Sequence, residues 1–284
     1  MKQSPLDYVP GNSVIPSDAF GISPSNVFKF FDKPHEWYNE QILGNTGFTG
    51  STSTVLGTIV HYCAEQFATT QSVDKSHIYQ YIANQCCNGI IVPSNLEEEE
   101  IEEFLVDNQH SDDIDASTIL ENYKPMGNAI ISHLRSTGLP SRTEELISAE
   151  VIPGYYACGS ADAVRGQTLI DYKTCGPTGV KSTIPYNYKL QLLTYAWIYR
   201  QNGIPISSIQ IIWINRPDVD RYGKNGNRLK DYPAAATTVT LSVDDHDIDF
   251  IESLLKLISE TVAHYRANPE QAYLLFKDYR LKGN

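Results

Sequence analysis

Apolar residues recur at helical spacing through the first half of this chain and at strand spacing through much of the second. From Thr54 the positions Leu56, Ile59, Val60, Cys63, Ala64 and Phe67 repeat at three- and four-residue intervals, which predicts an amphipathic helix. His77 to Asn88 and Ser117 to Thr137 carry the same period. The acidic stretch between them reads as helical too, so 54–138 forms an α-rich block. Upstream, residues 1–24 are rich in Pro, Ser and Gly and predict an extended N-terminal arm. Ser25 is placed to cap a short helix from Asn26 to Phe31. Pro34 opens another with Trp37, Tyr38 and Ile42, and Gly44 to Ser53 reads as a loop. After residue 138 the pattern changes. Glu145 to Ile152 predicts a strand, a hairpin follows up to Lys173, and Tyr186 to Gln201 is a helix stopped by Gly203 and Pro205. Ser208 to Ile214 is nearly continuous apolar sequence, as in a strand buried on both faces. A polar loop runs from Arg216 to Asp231. A last strand covers Ala236 to Val243, and Asp244 or Asp245 caps a helix through Tyr265. The order β-β-β-α-β between flanking helices predicts an α/β fold, a central mixed β-sheet flanked by helices.

The candidate chemistry sits in Gly159-Ser-Ala-Asp162-Ala-Val-Arg-Gly-Gln-Thr-Leu-Ile-Asp171-Tyr-Lys173. Gly166-Gln167 suits a two-residue type II′ turn, with Gly at the first central position. Counting outward pairs Arg165 with Thr168, Val164 with Leu169, Ala163 with Ile170, and Asp162 with Asp171. Opposed side chains sit about 5 Å apart, where like charges repel. Lys173 falls on the face of Asp171 by the period-2 rule. Two crowded carboxylates with an ammonium beside them suit a hard divalent cation, Mg²⁺ or Mn²⁺. A surface salt-bridge ladder reads the same way from these three residues alone.

Charge narrows the range of functions. The net charge of −12 argues against a surface that grips nucleic acid throughout. The excess lies in Leu96 to Glu121, however, and the remainder is close to neutral, which leaves room for local DNA binding. Five cysteines without a CxxC spacing fit the reduced thiols of a cytoplasm. No apolar run approaches the roughly 20 residues that span a bilayer, and the N-terminus lacks a signal-peptide pattern, so a cytoplasmic protein is expected. His35-Glu36 is followed by Trp-Tyr-Asn, which excludes an HExxH zinc site. Gly176-Pro-Thr-Gly-Val-Lys-Ser-Thr lacks the adjacent Gly-Lys of an ATP-binding P-loop, and there is no GxSxG.

Taken together, Glu150, Gly159-x-x-Asp162, Asp171-Tyr-Lys173 and Gln191-x-x-x-Tyr195 resemble the PD-(D/E)XK nuclease superfamily, in its RecB-like exonuclease branch. Leu56-Gly-Thr-Ile-Val-His61-Tyr-Cys-Ala-Glu65 is similar to that branch's helix with a metal-binding histidine. Ser23-Pro-Ser through Pro34-His-Glu-Trp-Tyr38 is similar to its N-terminal segment. The likeness covers about 23–214, with a helical insertion at about 66–144 inside a nuclease domain of 25–284. One departure matters. Iron–sulfur members carry a Cys before the N-terminal Pro and a Cys cluster near the C-terminus. Here Lys33 precedes Pro34 and no Cys follows Cys175, so no cluster is expected.

The resemblance implies a restriction-endonuclease-like core and a divalent-metal-dependent DNA exonuclease, using Mg²⁺ or Mn²⁺ and no ATP. Asp162 and Asp171 would hold the cation, with the Tyr172 backbone carbonyl, His61 and Glu150 as further ligands. Lys173 would act at the scissile phosphate. Gln191 would bond the catalytic group or a phosphate, and Tyr195 would pack over the site. Glu65 could accept the second N–H of His61. Lys181, Lys189, Arg216, Arg221, Lys224 and Arg228 are the candidate DNA contacts. A structure-specific endonuclease, or a non-catalytic DNA-binding subunit, is the alternative. Expected partners are DNA, a recombinase, single-strand-binding protein or helicase, and a second copy of the chain, in a bacterial or phage-infected cytoplasm.

Overall fold

Two apolar cores on opposite faces of one mixed sheet set the architecture. The structure, a computed structural model, describes residues 14–45, 50–219, 222 and 227–271. In chain order the elements are β1 (Phe20–Ile22), a 3-10 turn (Pro24–Asn26), α1 (Val27–Asp32), α2 (Pro34–Gln41), α3 (Thr52–Thr70), α4 (Lys75–Cys86), α5 (Glu98–Asp107), α6 (Ala116–Thr137), β2 (Arg142–Ile152), β3 (Tyr155–Arg165), β4 (Thr168–Cys175), α7 (Tyr186–Gln201), β5 (Ser208–Asn215), β6 (Ala236–Ser242) and α8 (Asp245–Ala267). Helix starts follow from capping side chains. Ser51 accepts from Thr54 N, Asp74 from Ser76 N, Asp115 from Ser117 N, and Asp244 from Asp247 N. Ser25 does not cap α1 as expected. It lies in the 3-10 turn, and α1 begins after Asn26 without a side-chain cap.

The sheet runs β1-β3-β4-β5-β6, with β2 along the other edge of β3. β4 and β5 are parallel; β2–β3, β3–β4 and β5–β6 are antiparallel. β1 adds a short parallel pairing, Phe20 opposite Tyr155, within the stretch expected as an extended arm. Residues 1–13 of that arm lie outside the described residues. One core joins α1, α2, α7 and α8 to the sheet through residues such as Trp37, Leu193, Ile211 and Ile251. The other joins α3 to α6 through Ile59, Ile82, Leu105, Ile130 and Ile212. β5, between both, is buried along almost its whole length, as its continuous apolar sequence requires.

The acidic segment is tied into the helical layer. Glu98 on α5 meets Lys75 at 2.8 Å and Lys124 at 2.6 Å, and Glu102 also meets Lys124 at 2.6 Å. These ammonium partners hold the Glu98 carboxyl down at about 2. The Tyr123 hydroxyl donates to that of Tyr79, which donates to Glu102. Glu97 and Glu100 form a capping box, and acidic residues in the first turn complement the helix dipole.

Candidate active site in the gap between β3 and β4

The site exists because two strands stop pairing. Gly166 takes φ +60° and turns β3 into β4, and the ladder runs Arg165–Thr168, Val164–Leu169 and Ala163–Ile170 as expected. It ends there. The next expected pair, Asp162–Asp171, does not form. Instead the Tyr172 N–H donates to Asp162 Oδ2 at 2.7 Å, so the aspartate side chain takes the place of a ladder partner. β4 leaves β3 to run beside β5 through Cys175.

The gap is filled from both faces. On one face Gly57 lets α3 approach β4, where a Cβ would sit 3.4 Å from Thr174 Oγ1. One turn further on, His61 Nε2 meets the Tyr172 carbonyl at 2.8 Å, and Nδ1 lies 3.5 Å from Asp162 Oδ1. Four helical residues advance about 6 Å and two strand residues about 6.6 Å, which is why Gly57–Thr174 and His61–Tyr172 match. Both ring nitrogens face the gap, so Glu65, though buried, does not receive a His61 N–H as expected.

On the other face Asp171 and Lys173 point toward α7. Lys173 Nζ lies 2.9 and 2.8 Å from the two Asp171 oxygens and 4.9 Å from the centre of the Tyr188 ring. Gln191 Nε2 donates to Asp171 Oδ1 at 3.4 Å. Tyr195 does not reach the carboxylates. Its hydroxyl donates to the Ser160 carbonyl at 2.7 Å, docking α7 onto β3. Gly159 makes that docking possible, since a Cβ there would come 2.8 Å from the hydroxyl.

Glu144 completes the cluster, and the sequence reading missed it. β2–β3 pairs on either side, Thr143–Ala163 and Glu145–Ala161, place Glu144 opposite Asp162. Its φ is +45°, and its Oε2 accepts from Ser160 Oγ at 3.1 Å. Glu150, the residue expected here, is not at the site. It lies six residues further along β2, about 20 Å away at strand rise, and its Oε1 accepts from Gly154 N at 3.0 Å in the β2–β3 turn.

The electrostatics show how crowded the gap is. Burial, then Asp162, push the Glu144 carboxyl up to about 9, with the Ser160 hydroxyl opposing. Burial pushes Asp171 up to about 6 against the pull of Lys173, and Asp162 adds to the rise. Burial alone would lower the Lys173 ammonium, but Asp171 and Asp162 outweigh it and the net shift is upward. Lys173 is therefore a fixed cation at neutral pH. His61, Glu144 and Asp162 each offer one ligand atom, and these atoms lie within 4.8 Å of one another. With the Tyr172 carbonyl beside His61, the donors are hard oxygens and one imidazole, a set that fits a divalent cation. Asp171, expected as a ligand, is committed to Lys173 in this structure.

The candidate DNA contacts divide. Lys189 lies 3.3 Å from Asp247, and Arg228 lies 2.6 Å from Asp231. Lys181 is exposed and Arg216 half-buried; Arg221 and Lys224 fall outside the described residues. Among the described residues no helix is long and apolar enough to cross a membrane.

The fold is that of a nuclease, with the acidic cluster set in a splayed hairpin. The family model of the PD-(D/E)XK nuclease superfamily matches residues 21–272, and the chain belongs to that superfamily, whose nucleases use divalent metals. Solved structures similar to it include a candidate exonuclease from Eubacterium rectale, at 12% identity over 87% of this chain and 80% of that one, with a TM-score of 0.47. Another is an alkaline exonuclease from Laribacter hongkongensis, at 15% identity over 69% and 93% of the two chains, TM-score 0.36. A phage-related exonuclease from Haemophilus somnus matches at 15% identity over 86% and 97%, TM-score 0.34. No curated protein sequence matches the chain.

Proposed function

We propose that this chain is a divalent-metal-dependent DNA exonuclease of RecB-like type, hydrolysing phosphodiester bonds in DNA recombination, repair or degradation. The observation that carries this reading is the half-buried convergence of His61, Glu144, Asp162 and the Tyr172 carbonyl beside a charged Lys173. Acidic groups packed so closely destabilise the fold, and such arrangements cluster at functional sites. His61, Glu144, Asp162 and the Tyr172 carbonyl would hold Mg²⁺ or Mn²⁺. That cation would supply the Lewis-acid charge that makes water nucleophilic and neutralises charge building on phosphorus.

The protein's own groups do the rest. Lys173 keeps its proton and presents a compact positive charge to the phosphate, so it stabilises the transition state instead of acting as a base. Asp171 fixes that ammonium, and Gln191 fixes Asp171. Tyr188 covers the ammonium on its apolar side. Tyr195 positions β3, and with it Asp162, from below. The helices α4 to α6 are assigned as an insertion covering one face of the nuclease core; the expected bound of 66–144 runs too far, since residues 142–144 belong to β2 and Glu144 to the site. The exonuclease assignment rests on the order of the sequence motifs, and the cytoplasmic setting and partnership with a recombinase, single-strand-binding protein or helicase rest on the same likeness.

The test is cleavage of end-labelled linear and closed-circular DNA with Mg²⁺, Mn²⁺ or EDTA, beside Asp162→Asn. Metal-dependent loss of the linear substrate alone, absent in the variant, is the expected result. Cutting of the circle would make the enzyme an endonuclease. Binding without cleavage under every condition would leave a DNA-binding subunit.

A further inference from the structure

Beyond Lys173, Lys181 and Arg216 stand without an ion-pair partner among the described residues. Cys175 ends β4 two residues further on, on the same face as Lys173. Arg216 follows the last residue of β5, and its N–H donates to the Cys175 carbonyl at 2.9 Å. Its guanidinium lies over the start of the β4–α7 loop, where a Cβ on Gly176 would stand 3.9 Å from Nη2. Lys181 sits in that loop, exposed. Burial raises the Cys175 thiol, and the charges of Lys181 and Arg216 both oppose that rise.

The loop is built tightly. Gly179 N donates to the Gly176 carbonyl at 2.9 Å, closing a turn. A Cβ at Gly179 would come within 2.9 Å of Cys175 Cβ and 3.2 Å of the Gly176 backbone, so only glycine fits without a shift. Val180 and Ile184, either side of Lys181, pack onto the core under α7 and fix the loop's course. Lys189 and Arg228 are each paired with a carboxylate, whereas Lys181 and Arg216 form no ion pair among the described residues. Open α/β sheets bind ligands outside the carboxyl ends of their parallel strands, and these two cations mark that end of β4 and β5.

We propose that Lys181 and Arg216 form a phosphate subsite at the carboxyl ends of β4 and β5, which holds the internal backbone phosphate next to the one being hydrolysed. The subsite rests on the reading of the chain as a DNA nuclease. Arg216 supplies a fork suited to two phosphate oxygens, and Lys181 a mobile point charge. Held there, the substrate strand runs along β4 toward Lys173 and the β3–β4 gap.

Binding of a labelled single-stranded oligonucleotide in EDTA, followed by fluorescence anisotropy against salt, tests this without turnover. Because Lys181 and Arg216 share one phosphate, the double variant Lys181→Gln/Arg216→Gln should make the slope of log affinity on log salt shallower by about 0.7. Its affinity should then fall about 2.6-fold less than wild type between about 50 and 200 mM salt, and each single variant should lie between the two. Lys256→Gln, whose ammonium pairs with Glu252 on α8, should leave the slope unchanged. Equal losses are expected for oligonucleotides with a 5′ phosphate, a 3′ phosphate or neither. A loss confined to an end-phosphorylated strand would overturn the placement on an internal diester. Unchanged slopes in both variants, with DNA still bound, would overturn the subsite alone. No binding by wild type would instead remove the DNA-nuclease reading beneath it.

Discussion

Replacing Glu144 by Gln should stabilise the metal-free protein while weakening its response to metal. Glu144 and Asp162 have ligand oxygens within 4.8 Å of each other. At an effective dielectric of about 20, two unit charges at that separation repel by about 3 kcal/mol. The glutamate avoids the repulsion by keeping its proton, its carboxyl being pushed up to about 9. Holding that proton costs about 1.4 kcal/mol for each pH unit above the ordinary carboxylate value. Gln carries neither cost and still offers an oxygen to the Ser160 hydroxyl, which lies 3.1 Å from Oε2. The sign follows from linkage. The folded protein binds the proton more tightly than the unfolded chain, so its stability is greatest at low pH and falls as pH rises toward about 9. The advantage of Glu144→Gln should be under about 1 kcal/mol at pH 5 and grow to about 5 kcal/mol at pH 8, about 3.5 pH units above the ordinary value. For a chain of this size that corresponds to a gain of roughly 10 to 20 °C in Tm at pH 8. The assay is thermal unfolding in EDTA and in Mn²⁺ across that pH range. Wild type should gain stability with Mn²⁺ at pH 8 and the variant should gain less. A variant with equal or lower Tm in EDTA at pH 8 would refute the crowding of these carboxylates.

Three other perturbations probe separate parts of the account. Lys173→Ala should abolish cleavage, and it should lower Tm at pH 8 more than at pH 5, because buried Asp171 loses its partner but can take up a proton in acid; unchanged turnover would remove the lysine from the mechanism. Gly159→Ala should cost about 1–3 kcal/mol by overpacking against Tyr195, and Tyr195→Phe about 1–3 kcal/mol by leaving the Ser160 carbonyl unbonded. The double variant, measured by urea unfolding, should be less destabilised than the sum because the clashing hydroxyl at 2.8 Å is gone; strict additivity would contradict the close approach. Lys124→Ala should lower global stability by no more than about 1 kcal/mol, since the side chain is partly exposed, yet raise amide exchange in α5, which it ties to α6 through Glu98 and Glu102; exchange confined to α6 would show that α5 is held otherwise.

Much of this architecture was legible because local rules and tertiary packing agree. The bounds of Tyr186–Gln201 and the Gly166 turn follow from periodicity and glycine chemistry alone. His61 and the Tyr172 carbonyl, expected from family likeness, meet at 2.8 Å. Glu144 was hidden by a one-residue irregularity. Ile152 pairs with Tyr155, but Glu150 pairs with Tyr156, so Val151 is an extra residue in β2. Counting from the turn without that bulge sets Glu145 opposite Asp162, and a single slip reverses which face a side chain takes. The separation of Asp162 from Asp171 was hidden for a different reason. Ladder counting assumes that pairing continues, whereas β4 exchanges one neighbour for another at Asp171. β1 was missed because three residues carry too little pattern to register as a strand.

The metal centre proposed for the β3–β4 gap is formed by His61, Glu144, Asp162 and the Tyr172 carbonyl. A crystal grown with Mn²⁺, with diffraction recorded at the manganese absorption edge, tests it most directly. The account predicts an anomalous peak within about 2.3 Å of those oxygens and the imidazole, lost in Glu144→Gln crystals or much reduced. A strong peak elsewhere with this gap empty, or a peak held by Glu150 in the β2–β3 turn, would contradict it.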